Sequence, residues 1–130
     1  MTSWLDEVDN GRFLAALYGG RAPSLDPVNL HEILLHRDGP TIALRFDLPE
    51  FATKPAKGWD AAGYNVVQVR LTLFGVLSAR LDGWATTMTG PLRIERRSML
   101  SVAFAADNAA FHIETEFVRV DGVSPYVQER

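Results

Sequence analysis

The chain contains no cysteine among its 130 residues, which excludes disulfide bonds, thiolate metal ligands and cysteine nucleophiles. It also lacks an apolar run long enough to cross a membrane as a helix. The acidic N-terminal stretch, MTSWLDEVDN, differs from the basic and then apolar start of a signal peptide. We therefore expect a cytoplasmic protein that does not associate with membranes.

Acidic residues slightly outnumber basic ones. The chain has 13 lysine and arginine residues against 16 aspartate and glutamate residues, for a formal net charge of −3. Proteins that bind nucleic acids usually present a basic face, so a nucleic-acid partner is not expected. A phosphate-binding loop is missing as well, because Gly19-Gly20-Arg21 has neither a preceding strand nor a following lysine and hydroxyl residue.

Apolar and polar residues alternate over most of the chain. Between Val67 and Leu73 every second residue is apolar, and this period of two is typical of a strand with one buried face. Asp38-Gly39 is a strong signal for a hairpin turn between two such segments. With no helical segment between the strands, the pattern predicts a mainly antiparallel β fold, a sandwich or open barrel of about six to eight strands.

Helical periodicity is confined to the first 22 residues. Ser3 is a suitable N-cap with Asp6 three residues later, and Gly19-Gly20 ends the pattern. We predict a single domain over residues 1–130, since a chain of this length can bury a substantial core. Its predicted parts are one or two short helices within residues 1–22, an antiparallel β core over 23–120 and a polar tail over 121–130.

The predicted core consists of the apolar members of the alternating pairs. Phe117 is expected on the same buried side as Phe111 and Ile113, and Gly75 marks a bend or a break in the long central strand. The predicted core residues are Leu44, Phe46, Val67, Val69, Leu71, Leu73, Leu81, Val102, Phe104 and Ile113.

One row of side chains has the composition of a metal site. His112, Glu114 and Glu116 occupy every second position, so a regular strand would project them from one face. The apolar residues between them account for the buried side, so we interpret the row as a solvated face and expect neither a metal nor a cofactor. The serines lack a nucleophile elbow and no carboxylate pair stands out, so the chain is not expected to be an enzyme.

Residues 49–63 form the longest segment without periodicity, and long loops in small domains are often functional. The segment holds Trp59 among the charged residues Lys54, Lys57 and Asp60. An aromatic side chain ringed by charges is typical of an anchor for a protein partner. The alternative is that Trp59 closes the open end of a β core.

Two further aromatic residues follow this loop, Tyr64 at its end and Trp84 at the end of the long strand. We expect Trp84 to pack inward, as tryptophans at strand ends commonly do. A second class of function is a domain that binds a small molecule or carbohydrate, in which Trp59, Tyr64 and Trp84 form a stacking platform.

Several short motifs follow one another from Phe13 to Trp84: Pro23-Ser24-Leu25, Arg37-Asp38-Gly39-Pro40-Thr41, Leu44-Arg45-Phe46-Asp47-Leu48-Pro49, Lys57-Gly58-Trp59, Asn65 with Val67-Gln68-Val69, and Gly83-Trp84. This succession resembles the immunity protein 50 family, predicted antidotes in bacterial polymorphic toxin systems. The resemblance implies a protein without catalytic activity that binds and neutralises a cognate toxin inside the producing cell. On this interpretation the partner-binding residues are Trp59, Lys57, Lys54, Asp60, Tyr64 and Trp84.

Overall fold

The computed structural model describes residues 3–129. Within these residues it contains one 3-10 turn, one α-helix and seven strands. The 3-10 turn spans Trp4–Glu7 and α1 spans Arg12–Leu17; the strands are β1 Val28–His36, β2 Thr41–Asp47, β3 Val66–Asp82, β4 Thr89–Gly90, β5 Leu92–Arg96, β6 Leu100–Ala105 and β7 Ala110–Tyr126. Met1 and Thr2 of the predicted helical segment and Arg130 of the predicted tail lie outside the described residues. No helix in residues 3–129 has the length and hydropathy needed to span a membrane.

The strands form one sheet in the order β4-β1-β2-β3-β7-β6-β5, and all neighbours pair antiparallel. Only Pro91 separates β4 from β5, so the chain itself joins the two ends of this order. β4 also approaches β6 closely, because a Cβ on Gly90 would lie 2.0 Å from the carbonyl oxygen of Ala105. The sheet therefore curves into a nearly closed barrel, which confirms the predicted fold class.

Large apolar side chains fill the barrel. Phe46, Leu44, Leu71, Leu73 and Ile113 are fully buried, because the apolar members of each alternating pair face inward. All ten predicted core residues are buried except Leu81. Leu14 and Leu17 of α1 join the same buried cluster and so fix the helix on the barrel.

Leu81 is an incorrect prediction, since 41% of its surface is exposed. The last residue of β3 that pairs with β2 is Phe74, and beyond it β3 pairs only with β7. At Leu81, β3 therefore has a neighbouring strand on one edge only. Alternation assigns Leu81 to the inner face correctly, but the side chain stays partly exposed because β2 does not extend beside this part of β3.

Gly75 is a bend within a continuous β3 and not a break. Its φ of +63° is a left-handed conformation that favours glycine, and the register between β3 and β7 shifts just beyond it, between Val76 and Ser78. On the facing strand Glu116 and Phe117 are both exposed, so the alternation of β7 slips by one residue there. Phe117, predicted to be buried, is consequently 56% exposed.

The predicted tail is also wrong over residues 121–126. β7 continues to Tyr126, which pairs with Val66, and Val123 pairs with Val69. Gly122 and Pro125 interrupt the alternation, which is why the sequence pattern fades before the strand ends. This extension matters for the candidate site, because it places Tyr126 opposite Val66, the first residue of β3.

Candidate functional site

Trp59 lies at the centre of an aromatic cluster, which we call the aromatic cap. Its ring centroid is 6.4 Å from that of Phe13 in α1, 6.2 Å from that of Phe51 and 6.4 Å from that of Tyr64. The contacts with Phe13 and Tyr64 are edge-to-face, the geometry that aromatic pairs prefer. Trp59 is only partly exposed and packs against the buried core. Of the predicted contact residues, Trp59 and Tyr64 therefore lie together, and Trp59 packs against the core of the barrel.

The loop that carries Trp59 is tied to α1 and the residue after it. The backbone N–H of Lys54 donates to the carbonyl oxygen of Leu17 at 2.9 Å. The hydroxyl of Tyr18 donates to the carbonyl oxygen of Glu50 at 2.6 Å, and burial, together with the charge of Glu50, raises the pKa of this phenol. The side chains of three predicted contact residues in the loop remain exposed: Lys54, Lys57 and Asp60.

Trp84 belongs to a different surface and does not pack inward as predicted. It is 63% exposed and lines an open groove of about 430 Å³ with Asn29, His31 and Thr87. After β3 ends, the chain runs alongside β1, where the N–H of Leu30 donates to the carbonyl oxygen of Met88 at 2.9 Å. On this course Met88, which is 3% exposed, enters the core, whereas Trp84 stays at the surface.

A buried carboxylate lies beside the groove of Trp84. Asp47 is 5% exposed, and its Oδ2 is 2.8 Å from Nε2 of His31. Nε2 of Gln68 donates to Oδ1 at 3.0 Å, and the hydroxyl of Tyr126 donates to Oδ2. Burial, and then the hydrogen bond and charge of Asp47, raise the pKa of Tyr126 to about 12.

These contacts occupy the carboxylate of Asp47, which is therefore not free to act as a general base. Both oxygens of Asp47 have hydrogen-bond partners, so the group holds His31 in place at the groove wall. Sequence reasoning did not find this network. Asp47 occupies a polar position in the alternating run of β2, so the pattern gives no signal for its burial, and its partner Tyr126 lies in the segment predicted to be a tail.

A second groove, of about 380 Å³, crosses the outer face of β5, β6 and β7. His112 and Glu114 line it together with Arg93 and Arg97, and Nε2 of His112 is 2.8 Å from Oγ of Ser101. Glu116 does not line it. In the part of the chain that the structure describes, no three histidine, aspartate or glutamate side chains gather closely enough to hold a metal ion.

Comparison with known protein families shows the relationship of this chain. The sequence model of the immunity protein 50 family matches residues 10–126, which is most of the chain. The chain belongs to the immunity protein 50 family. The match extends past Trp84 to the last three strands, so the resemblance predicted from the motifs is confirmed over a longer region. No match was found among the curated proteins or the solved structures that were compared.

Proposed function

We propose that this immunity protein binds a cognate toxin of a bacterial polymorphic toxin system in the cytoplasm of the producing cell, and that binding neutralises the toxin. Membership of the immunity protein 50 family is the observation that carries the proposal. The packed interior, filled by residues such as Phe46 and Leu71, supports a role performed on the outer surface. A protein that neutralises a toxin by covering it needs a surface of complementary shape and charge, but it needs no catalytic group. The proposal is therefore consistent with a protein that is not an enzyme.

The proposed contact residues are Trp59, Lys57, Lys54, Asp60, Tyr64 and Trp84. We assign the main anchor to Trp84, because an indole that is 63% exposed has a large apolar area left to bury on a partner. Trp59 is partly covered by the aromatic cap, so we expect it to offer only one edge of its ring. The exposed charges of Lys57 and Asp60 would orient the partner and accelerate its association.

The test uses the toxic domain encoded by the neighbouring reading frame. Co-expression of the two proteins in bacteria should restore growth, and calorimetry should detect a stable complex. Trp84→Ala should raise the Kd about 30-fold, since a tryptophan anchor is worth about 2 kcal/mol, and should leave the melting temperature unchanged. Phe117→Ala is the matched control, because Phe117 is an exposed aromatic residue (56%) outside the proposed contact set. Absence of both rescue and binding would contradict the proposal.

A carbohydrate is the second candidate ligand, and the groove of Trp84 is the observation that favours it. The groove combines an exposed indole with the polar side chains of Asn29, His31 and Thr87, a combination suited to stacking and hydrogen bonding of a sugar ring. The cavity between Leu30, Ile33 and Phe111 is only about 10 Å³, so a sugar would have to bind in the open groove. Saturable quenching of tryptophan fluorescence by an oligosaccharide, abolished in Trp84→Ala, would favour this function.

A further inference from the structure

The second half of β3, residues 77–82, has one edge without backbone hydrogen-bond partners among the described residues. β7 pairs with the opposite edge over residues 78–82. On the free side the last backbone hydrogen bond joins the N–H of Val76 to the carbonyl oxygen of Pro40, at 3.1 Å. We call residues 77–82 the open edge. Its outward N–H and C=O groups can pair with another strand.

Leu81 is the apolar residue of the open edge that alternation directs towards the inner face. It is 41% exposed, and together with Ile33 of β1 it lines a cavity of about 10 Å³. The exposure arises because β2 ends opposite Phe74. A strand added beside β3 would therefore remove part of the Leu81 side chain from water, which favours its addition.

The outer face of the open edge carries two charges of opposite sign. Arg80 and Asp82 flank Leu81, both are exposed, and neither makes an ion pair within residues 3–129. Charged side chains on a free edge commonly discourage pairing with another chain. Here, however, the two charges lie at equal distances on either side of Leu81, so the edge is complementary to itself when a second copy runs antiparallel to it.

We propose that two copies of this chain pair through their open edges, antiparallel and about a two-fold axis that passes between the two Leu81 residues. In this register Arg80 lies directly opposite the Asp82 of the copy, and Asp82 lies opposite its Arg80. Residues directly opposite each other in an antiparallel pair have side chains on the same face, and opposite charges there stabilise the pair. The dimer thus gains two ion pairs on the outer face and one leucine contact on the inner face. This inference goes beyond the proposed function and does not depend on it.

Other antiparallel registers of the same two edges fit less well. A register centred on Arg80 or on Asp82 sets two like charges directly opposite each other, which destabilises a strand pair. A register centred on Ala79 sets Arg80 opposite Ser78 and forms no ion pair. The register centred on Leu81 is therefore the one that charge complementarity selects.

The occupant follows from the same symmetry. A two-fold dimer uses one patch on both subunits, so each patch must be complementary to itself. The order Arg80, Leu81, Asp82 meets this condition within the chain's own sequence, whereas a segment of another protein would have to supply a matching pair of charges. The paired segment is short and the interface is small, so we expect a dimer that dissociates on dilution.

Sedimentation velocity over a series of concentrations tests the dimer. Arg80→Asp sets two pairs of carboxylates opposite each other and should raise the dissociation constant of the dimer about tenfold or more. Asp82→Arg should do the same with two pairs of guanidinium groups. The double variant exchanges the charges and restores both opposite pairs, so it should regain the dissociation constant of the native chain. Arg93→Asp is the control, because Arg93 lies in the same cross-strand row as Arg80 but on β5.

Cross-linking tests the register, because the chain has no cysteine of its own. Leu81→Cys places two thiols directly opposite each other and should form a disulfide-linked dimer under mild oxidation. Leu77→Cys is the matched control: Leu77 is an exposed leucine of the same edge, but it does not face itself in this register. Cross-linking should be about tenfold or more slower in the control, since its thiols meet only by collision.

A native chain that stays monomeric up to about 1 mM would overturn the proposal, since such a Kd is already weak. Failure of the double variant to restore the dimer, with a melting temperature equal to that of the native chain, would also overturn it. So would equal cross-linking of Leu81→Cys and Leu77→Cys. Amides of residues 77–82 that become protected from exchange only on addition of the neighbouring gene's toxic domain would assign the edge to the toxin instead. Absence of toxin binding would contradict the proposed function but would leave the dimer standing.

Discussion

The phenol of Tyr126, on the last strand, donates a hydrogen bond to the buried carboxylate of Asp47, 79 residues earlier in the chain. His31 contacts the same oxygen at 2.8 Å, so residues from β1, β2 and β7 meet at one carboxylate. The network lies next to the groove of Trp84, because His31 belongs to both. It therefore links the stability of the barrel to the geometry of the proposed binding surface.

The hydrogen bond between Tyr126 and Asp47 predicts a pH dependence of stability. Burial and Asp47 raise the pKa of Tyr126 from 10.0 to about 12. A group with a higher pKa in the folded state contributes stability that is complete below its unfolded pKa and is lost as the pH rises towards the folded pKa. The free energy of unfolding should thus fall more steeply between pH 10.0 and about 12 in the native chain than in Tyr126→Phe.

Urea denaturation at a series of pH values measures this difference. Tyr18 also has a raised pKa, but it is present in both proteins, so its effect cancels in the comparison. Equal slopes for the native chain and Tyr126→Phe above pH 10.0 would contradict the assignment.

Truncation of the core should separate buried from exposed leucines on β3. Leu71→Ala, at a fully buried site, should lower the free energy of unfolding by about 2–5 kcal/mol, because it removes apolar contacts and leaves a cavity. Leu81→Ala should cost much less, since Leu81 is 41% exposed. Chemical denaturation of both variants tests this, and similar losses for the two would show that the barrel is closed over Leu81.

Trp59→Ala should affect stability more than Trp84→Ala does. The indole of Trp59 contacts three aromatic rings, so its loss should lower the free energy of unfolding by about 2 kcal/mol. Toxin binding should weaken about tenfold as well if its exposed edge contacts the partner. Lys57→Ala is the control for stability alone, because it changes the charge of the same loop without touching the ring cluster and should leave the free energy of unfolding unchanged. A loss of stability with unchanged affinity would leave the aromatic cap purely structural.

Metal content provides a further check on the outer groove. His112 has Ser101 as its hydrogen-bond partner, so we expect no bound metal at this strand face. Protein purified without a histidine tag should contain no stoichiometric zinc by mass spectrometry. Stoichiometric zinc that disappears in His112→Ala would refute this expectation.

The sequence was sufficient for the fold class and most of the core. Strict alternation in residues 67–73 and the Asp38-Gly39 turn are local signals, and the strands and the pairing of β1 with β2 follow from them. The motifs between Phe13 and Trp84 were likewise sufficient for the family. These inferences succeeded because each depends on residues close together in the chain.

Tertiary structure alone decided which inward-facing positions are covered. Leu81 has the alternation of a core residue but is exposed, because β2 ends opposite Phe74 and no strand replaces it on that edge of β3. Trp84 stays at the surface, whereas Met88 is buried where the chain runs along β1. The hydrogen bond between Tyr126 and Asp47 forms because β7 extends as far as Tyr126. The sequence pattern does not predict that extension, because Gly122 and Pro125 interrupt the alternation. Periodicity reports which way a side chain points, whereas burial also requires another element to lie over it, and that element is set by distant parts of the chain.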